Sequence, residues 1–162
     1  MGRGDVLNSI KAELTTTEYV NGEHLMIFVD DIRLDRWLSS KLDDKNYLGL
    51  IPTWLGWLLN PKEQEYVWMT TKLCKTKTTI VPFLICPDDL DFSCTVVVCE
   101  VKYTDTSVRW GRVGIDRTGY PTYIGSDIDW LANVPSLQFL RQQYEECLNA
   151  FRRDCKLMIT GG

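Results

Sequence analysis

The sequence predicts an α+β domain: an antiparallel sheet of about five or six strands, with a long C-terminal helix and shorter N-terminal helices packed on it. Three observations carry this. Ile80–Cys86, Cys94–Tyr103 and Val108–Ile115 are rich in β-branched and aromatic residues, with turn chemistry between them at Pro87-Asp88-Asp89-Leu90-Asp91 and Thr104-Asp105-Thr106-Ser107. The middle run alternates, with Thr95, Val97, Cys99, Val101 and Tyr103 on one face. Val96 and Val98 keep its other face apolar, so it is a central strand, and Glu100 and Lys102 mark where it emerges into water. Third, Pro135–Cys155 repeats apolar residues at spacings of three and four through Leu137, Leu140, Tyr144, Cys147, Leu148, Phe151 and Cys155, the stripe of a helix laid on a sheet.

The other elements follow in chain order. Asp5–Leu14 reads as a short helix, with Val6, Leu7, Ile10 and Leu14 on one side and Asp5 as its cap. Asn21-Gly22 is a type I′ turn signal and predicts a hairpin of Tyr19–Asn21 with Glu23–Val29. From Asp30 to Leu42 the period becomes helical, and Asp30, Asp31 and Asp35 at its start complement the helix dipole. In Tyr47–Asn60, Pro52 suits a helix start, Trp54, Trp57 and Leu58 share a face, and Asn60-Pro61 ends it. Glu65–Thr71 alternates, Tyr66 and Trp68 against Val67 and Met69, and reads as a strand before a basic turn at Lys72, Lys75 and Lys77. Pro82 cannot donate to a ladder, so Ile80–Cys86 is an edge strand or carries a bulge. After Asp116, Gly119 and Gly125 are turn points and Thr122–Ile124 a short strand. With no repeat or linker, 1–162 reads as a single domain.

At 162 residues, 44% of them hydrophobic and 25% charged, the chain can bury a core without staples. A net charge of −4 argues against direct nucleic-acid binding, which needs clustered Lys and Arg, and suits a basic protein partner. The N-terminal MGRGDVLNSIKAEL has no apolar signal core, and no run reaches membrane-spanning length. The six cysteines lie mostly in apolar runs, where a free thiol packs as a small hydrophobe. The expectation is a reduced, cytoplasmic chain with no membrane insertion.

Catalytic patterns are missing from the sequence. There is no Gly-x-Ser-x-Gly elbow and no Walker or dinucleotide loop, and the one histidine, His24, lies in an apolar strand as a core histidine would. Gly111 and Gly114 fall within a strand, where glycine permits bending or close packing. Cys86 and Cys94 flank one turn, so their side chains lie near each other, but no Cys-x-x-Cys pair or second histidine completes a zinc pattern. A calcium frame starting at Asp89 puts Cys94 where Gly is needed. No catalytic residue, cofactor or metal is therefore expected. An acidic surface remains: Asp88, Asp89 and Asp91, with Asp127 and Asp129, could form a negative patch beside the sheet, although Pro-Asp-Asp is also ordinary turn chemistry. Trp54, Trp57 and Trp130 are candidate aromatic anchors for a partner; the plainer reading places Trp54 and Trp57 in the core.

The block PFLICPDDLDFSCTVVVCEVKYTDTSVRWGRVGID, with LGLIPTWLGWL upstream, resembles bacterial immunity proteins of contact-dependent growth-inhibition and polymorphic-toxin systems, over Glu23 to Asp116. The resemblance implies a non-enzyme that binds one cognate toxin domain and blocks its active site. Many such toxins are nucleases with basic clefts, which an acidic surface fits. Two other readings stand beside it: a small cytosolic enzyme or metal-binding protein using Cys86, Cys94 and His24, and an oligomeric module with the tryptophan-rich Leu48–Leu59 segment as its interface.

Overall fold

β6 (Val96–Tyr103) lies between β5 (Thr79–Ile85) and β7 (Ser107–Asp116) and is antiparallel to both. This is the predicted centre, and Val96 to Cys99 are buried on both faces before Lys102 reaches solvent. The computed structural model describes residues 7–118 and 125–161, with 156–161 as backbone only; the strand expected at Thr122–Ile124 lies outside the described residues. The sheet has six strands in the order β4 (Ile51–Pro52), β5, β6, β7, β8 (Ile128–Trp130), with β9 (Leu137–Leu140) also on β7. Strands β8 and β9 share one edge of β7: β8 pairs with Gly114–Asp116 and β9 with Ser107–Trp110. A second, three-stranded antiparallel sheet has the order β1 (Ile10–Thr15), β2 (His24–Val29), β3 (Ile32–Arg33). The α+β class is thus as the sequence predicts.

Pro82 resolves as a bulge. β5 is interior, and its register with β6 shifts between Pro82 and Leu84, which accommodates the missing N–H. The freed Pro82 carbonyl accepts from the Thr53 hydroxyl at 2.7 Å. Both strand glycines have the predicted roles. The β6–β7 register shifts beside Gly111, and a Cβ on Gly114 would lie 2.9 Å from Trp130 Cε3.

Several local expectations are corrected. The segment expected as an N-terminal helix contains β1: Ile10 and Ala12 face inward while Lys11 and Glu13 face water, a period of two that pairing with β2 enforces. The hairpin partner of β2 is accordingly Ile10–Thr15, and Tyr19–Asn21 belongs to the connecting loop. Asp30 and Asp31 do not load a helix; at φ 50° and 65° they form the two-residue turn between β2 and β3, a left-handed conformation that Asp tolerates. The helix α1 (Leu34–Leu42) starts after them. Pro52 begins no α-helix: Thr53–Leu55 is a single 3-10 turn that ends at Gly56 with φ 80°. Asn60-Pro61 starts a helix instead of ending one, so Glu65–Thr71 falls in α2 (Pro61–Leu73), which buries Val67, Thr70 and Thr71 and leaves Met69 exposed. The C-terminal helix α3 (Arg141–Gly161) is present, but its expected first residues form β9.

Capping explains the α2 reversal. The Asn60 carboxamide oxygen accepts from Lys62 N at 2.9 Å, and Pro61 fills the first helical position, where no N–H is needed. Asn60→Ala is expected to cost about 1 kcal/mol of stability, read as a lowered urea midpoint at unchanged slope.

The core is aromatic where α3 and the 3-10 turn meet the large sheet. Trp54 packs on Phe83, Tyr144 and Phe151 at centroid distances of 5.1, 5.8 and 5.7 Å. Trp110 continues the cluster, 4.5 Å from Phe83 and 5.1 Å from Phe139, and its indole N–H donates to Tyr144 OH at 3.2 Å. No buried side-chain polar atom among the described residues lacks a partner, so this core is satisfied internally.

Candidate functional site

The loop between β5 and β6 combines the chemistry singled out in the sequence. Cys86 and Cys94, eight residues apart, are joined by a disulfide with a Cα–Cα distance of 6.2 Å. This corrects the expectation of reduced thiols throughout, while Cys74, Cys99, Cys147 and Cys155 remain free. A bulged antiparallel pair brings the two strand ends together and the turn between them does the rest. Leu90 adopts φ 52°, its N–H donates to Cys86 O at 3.2 Å, and Asp91 accepts from the backbone N–H and hydroxyl of Ser93.

The loop is also braced from behind. Leu59 N donates to Leu90 O at 2.9 Å, and Phe92 N donates to Glu63 Oε1 at 3.2 Å from the first turn of α2. Phe92 meets Tyr66 edge-on at 6.4 Å. Burial raises the Glu63 carboxyl above its ordinary range, opposed by the Phe92 N–H and reinforced by the charge of Asp91. Leu90 and Phe92 turn toward the core while Asp88 and Asp89 are exposed and, among the described residues, form no ion pair. Beside Leu90, Leu59 is 73% exposed. Sequence reading missed Leu59 because it places this residue inside a helix; the cap at Asn60 is the signal that puts it outside.

The predicted acidic residues share one end of the sheet. Ile85 pairs with Val96, Val97 with Ile115, and Asp116 with Ile128, so the loop bearing Asp88, Asp89 and Asp91 leaves the same end as Asp127. Asp129 lies one residue into β8 and forms a loose, exposed pair with Arg117 at 3.7 Å, worth little in water. The three tryptophans differ in exposure, and Trp130 directly follows Asp129 in β8. Trp54 is completely buried and donates to Thr71 Oγ1 at 3.1 Å, so it is core and unavailable to a partner. Trp57 is half-buried against His24, and Trp130 is half-buried under the Arg112 guanidinium, 3.9 Å from its ring centre.

His24 is buried with both ring nitrogens engaged, Nε2 by the Thr17 hydroxyl and Nδ1 by Leu25 O, each at 2.8 Å. It is the satisfied core histidine expected, and no thiol–imidazole pair forms with Cys86 or Cys94. Burial also silences the interior thiols. It pushes Cys74 and Cys147 up to about 12 and Cys99 well above its ordinary value, so all three stay protonated at neutral pH. A depression of about 360 Å³ on the small sheet is lined by Thr15, Phe28, Asp31, Arg33 and Arg36 among others. Arg33 there is already bound to Asp35 and Glu18.

One cluster has metal-ligand chemistry: Cys86 Sγ, Cys94 Sγ and a carboxylate oxygen of Asp89 lie within 4.8 Å of one another. No protein-family model, curated protein or solved structure matches this chain. No helix among the described residues is long and apolar enough to cross a membrane.

Proposed function

We propose that this chain is a cytoplasmic protein inhibitor of the immunity type, which presents the Cys86–Cys94 loop to a basic surface of a toxin domain, such as a nuclease, and blocks its active site one-to-one. The observation that carries this reading is a braced loop bearing the unpartnered, exposed Asp88 and Asp89, with the exposed Leu59 on the segment hydrogen-bonded to it at Leu90. Free carboxylates attract a basic partner over a long range and fix its register, and a neighbouring apolar side chain supplies area to desolvate. Bracing lowers the ordering cost of binding, because the loop is held before the partner arrives. The aspartates at the same sheet end, Asp127 and Asp129, extend the field.

The test is capture of a partner by the tagged chain at low and high salt, followed by titration of the purified partner's activity. The expected result is complete inhibition at one chain per partner, with binding weakened by salt. Asp88→Lys with Asp89→Lys should lower the association rate about tenfold or more, while Asp105→Lys, on the β6–β7 turn, should not. Undiminished binding by the doubly reversed chain would remove the loop from the interface. A captured partner whose activity the chain leaves untouched would end the inhibitor reading.

A further inference from the structure

The loop has a second chemistry, independent of any protein partner. Among the described residues, Cys86, Asp89 and Cys94 are the one cluster of three potential metal donors, all within 4.8 Å of one another. Around a tetrahedral ion with Zn–S of about 2.3 Å and Zn–O of about 2.1 Å, neighbouring donors stand roughly 3.5–3.8 Å apart. To reach that spacing the two sulfurs, bonded to each other here, must separate and the Asp89 carboxylate must settle between them. These adjustments are within reach of side-chain rotation because Asp89 and Cys94 are exposed and Cys86 is half-buried. The disulfide is not the loop's only restraint. Leu90 N to Cys86 O, Leu59 N to Leu90 O and Phe92 N to Glu63 Oε1 all hold it from the backbone side. These bonds keep the two thiols and the carboxylate together once the S–S bond is open.

The geometry points to a soft-metal site in the reduced loop, in which the Cys86 and Cys94 thiolates and the Asp89 carboxylate bind a thiophilic divalent ion such as Zn²⁺, its fourth position left to water or an external ligand. Two thiolates and a carboxylate select Zn²⁺ over Ca²⁺ or Mg²⁺, which take oxygen donors. Three negative ligands leave one negative charge on the bound complex, and Asp88 and Asp91 nearby raise the local concentration of any cation. The same two sulfurs cannot hold the metal and each other, so metal and disulfide exclude one another. Opening the bond takes two electrons and two protons. A dithiol supplies both and becomes a disulfide, whereas a phosphine supplies the electrons and becomes its oxide while water gives the oxygen and the protons; either way two thiols result. Zn²⁺ then binds their thiolates, releases the two protons and undergoes no redox change itself. An exposed loop disulfide that is opened in this way suits a reducing compartment, where such bonds are transient.

The experiment is equilibrium dialysis of the full chain against Zn²⁺, before and after phosphine reduction and removal of the reductant. Reduced chain is expected to bind one Zn²⁺ and oxidised chain none. Cys86→Ser with Cys94→Ser should abolish binding while leaving the four other thiols in place. Asp89→Asn should weaken it by at least the roughly 10–100-fold that loss of a supporting residue costs a metal site. Co²⁺ in place of Zn²⁺ should give thiolate-to-metal charge-transfer absorption in the reduced chain alone. Equal binding by oxidised and reduced chain, or Zn²⁺ retained by the double serine variant, would overturn the site. An Asp89→Asn chain with unchanged affinity would overturn the three-ligand assignment.

Discussion

Trp54→Ala should lower stability by about 3–5 kcal/mol, the range for truncating a large buried aromatic. Trp54 is fully buried at the junction of the 3-10 turn, β5 and α3, and touches Phe83, Tyr144 and Phe151. Removing the indole leaves a cavity that Phe83 on β5 and Tyr144 and Phe151 on α3 cannot close together. It also removes the indole N–H that donates to Thr71 Oγ1, which is itself buried. A domain of this size has about 5–15 kcal/mol in total, so the variant should be close to unfolding at room temperature. Urea denaturation reads the effect as a lower midpoint. A loss under about 1 kcal/mol would mean that Trp54 is not core, and would return it to the candidate anchors for a partner.

Asp35→Ala should cost a similar amount, about 3–5 kcal/mol, because it strands a buried charge. Arg33 is 7% exposed and gives Asp35 two hydrogen bonds of 2.7 Å, one from Nε and one from Nη2. Asp35 also accepts from Gly49 N at 2.8 Å, so the network joins β3, α1 and the loop before β4. Without Asp35 the guanidinium keeps Glu18, at 2.6 Å, and the Thr16 carbonyl, and the Gly49 N–H loses its acceptor. Burial alone would raise the Glu18 carboxyl, but the hydrogen bond from Arg33 and a backbone N–H hold it below its ordinary value. A depressed carboxylate contributes stability that is present above its unfolded pKa and lost as pH falls through the folded value. The Asp35→Ala chain should therefore lose its remaining brace in acid. Pairing Asp35→Ala with Arg33→Met should recover much of the loss, since the fully buried charge is gone and the Glu18 carboxylate it frees is partly exposed to water. A double variant as unstable as the single one would show that the cost lies in packing and not in charge.

The two effects bear on the proposed site differently. Trp54 holds the 3-10 turn from which residues 56–60 run to the Leu59–Leu90 contact, so its loss should also loosen the loop. The Arg33–Asp35–Glu18 network ties β3 of the small sheet to α1 and the segment before β4, and stabilises the fold without touching the Cys86–Cys94 loop.

How much of this was legible depended on whether a segment's partners were local. The β5–β6–β7 core could be read directly: Val96 to Cys99 are apolar on both faces, and only the middle of a sheet buries both faces of a strand. The Pro82 bulge, the strand glycines and the satisfied His24 followed from covalent geometry and polarity in the same way. Other segments were consistent with two periods. Ile10 to Leu14 fits a helix or a strand, and pairing with β2 decided it; Glu65–Thr71 alternates, yet the Asn60 cap and packing on β5 made it helical. The acidic turn and the proximity of Cys86 and Cys94 were visible in the sequence as chemistry. Tertiary structure alone decided that Asp89 joins the two sulfurs, that Leu59 emerges beside Leu90, and that Trp54 is withdrawn from the surface. The physical reason is that residue type and period are properties of a segment, whereas a site is a set of distances between segments. Those distances exist only once the sheet register and the helix caps have placed the loops.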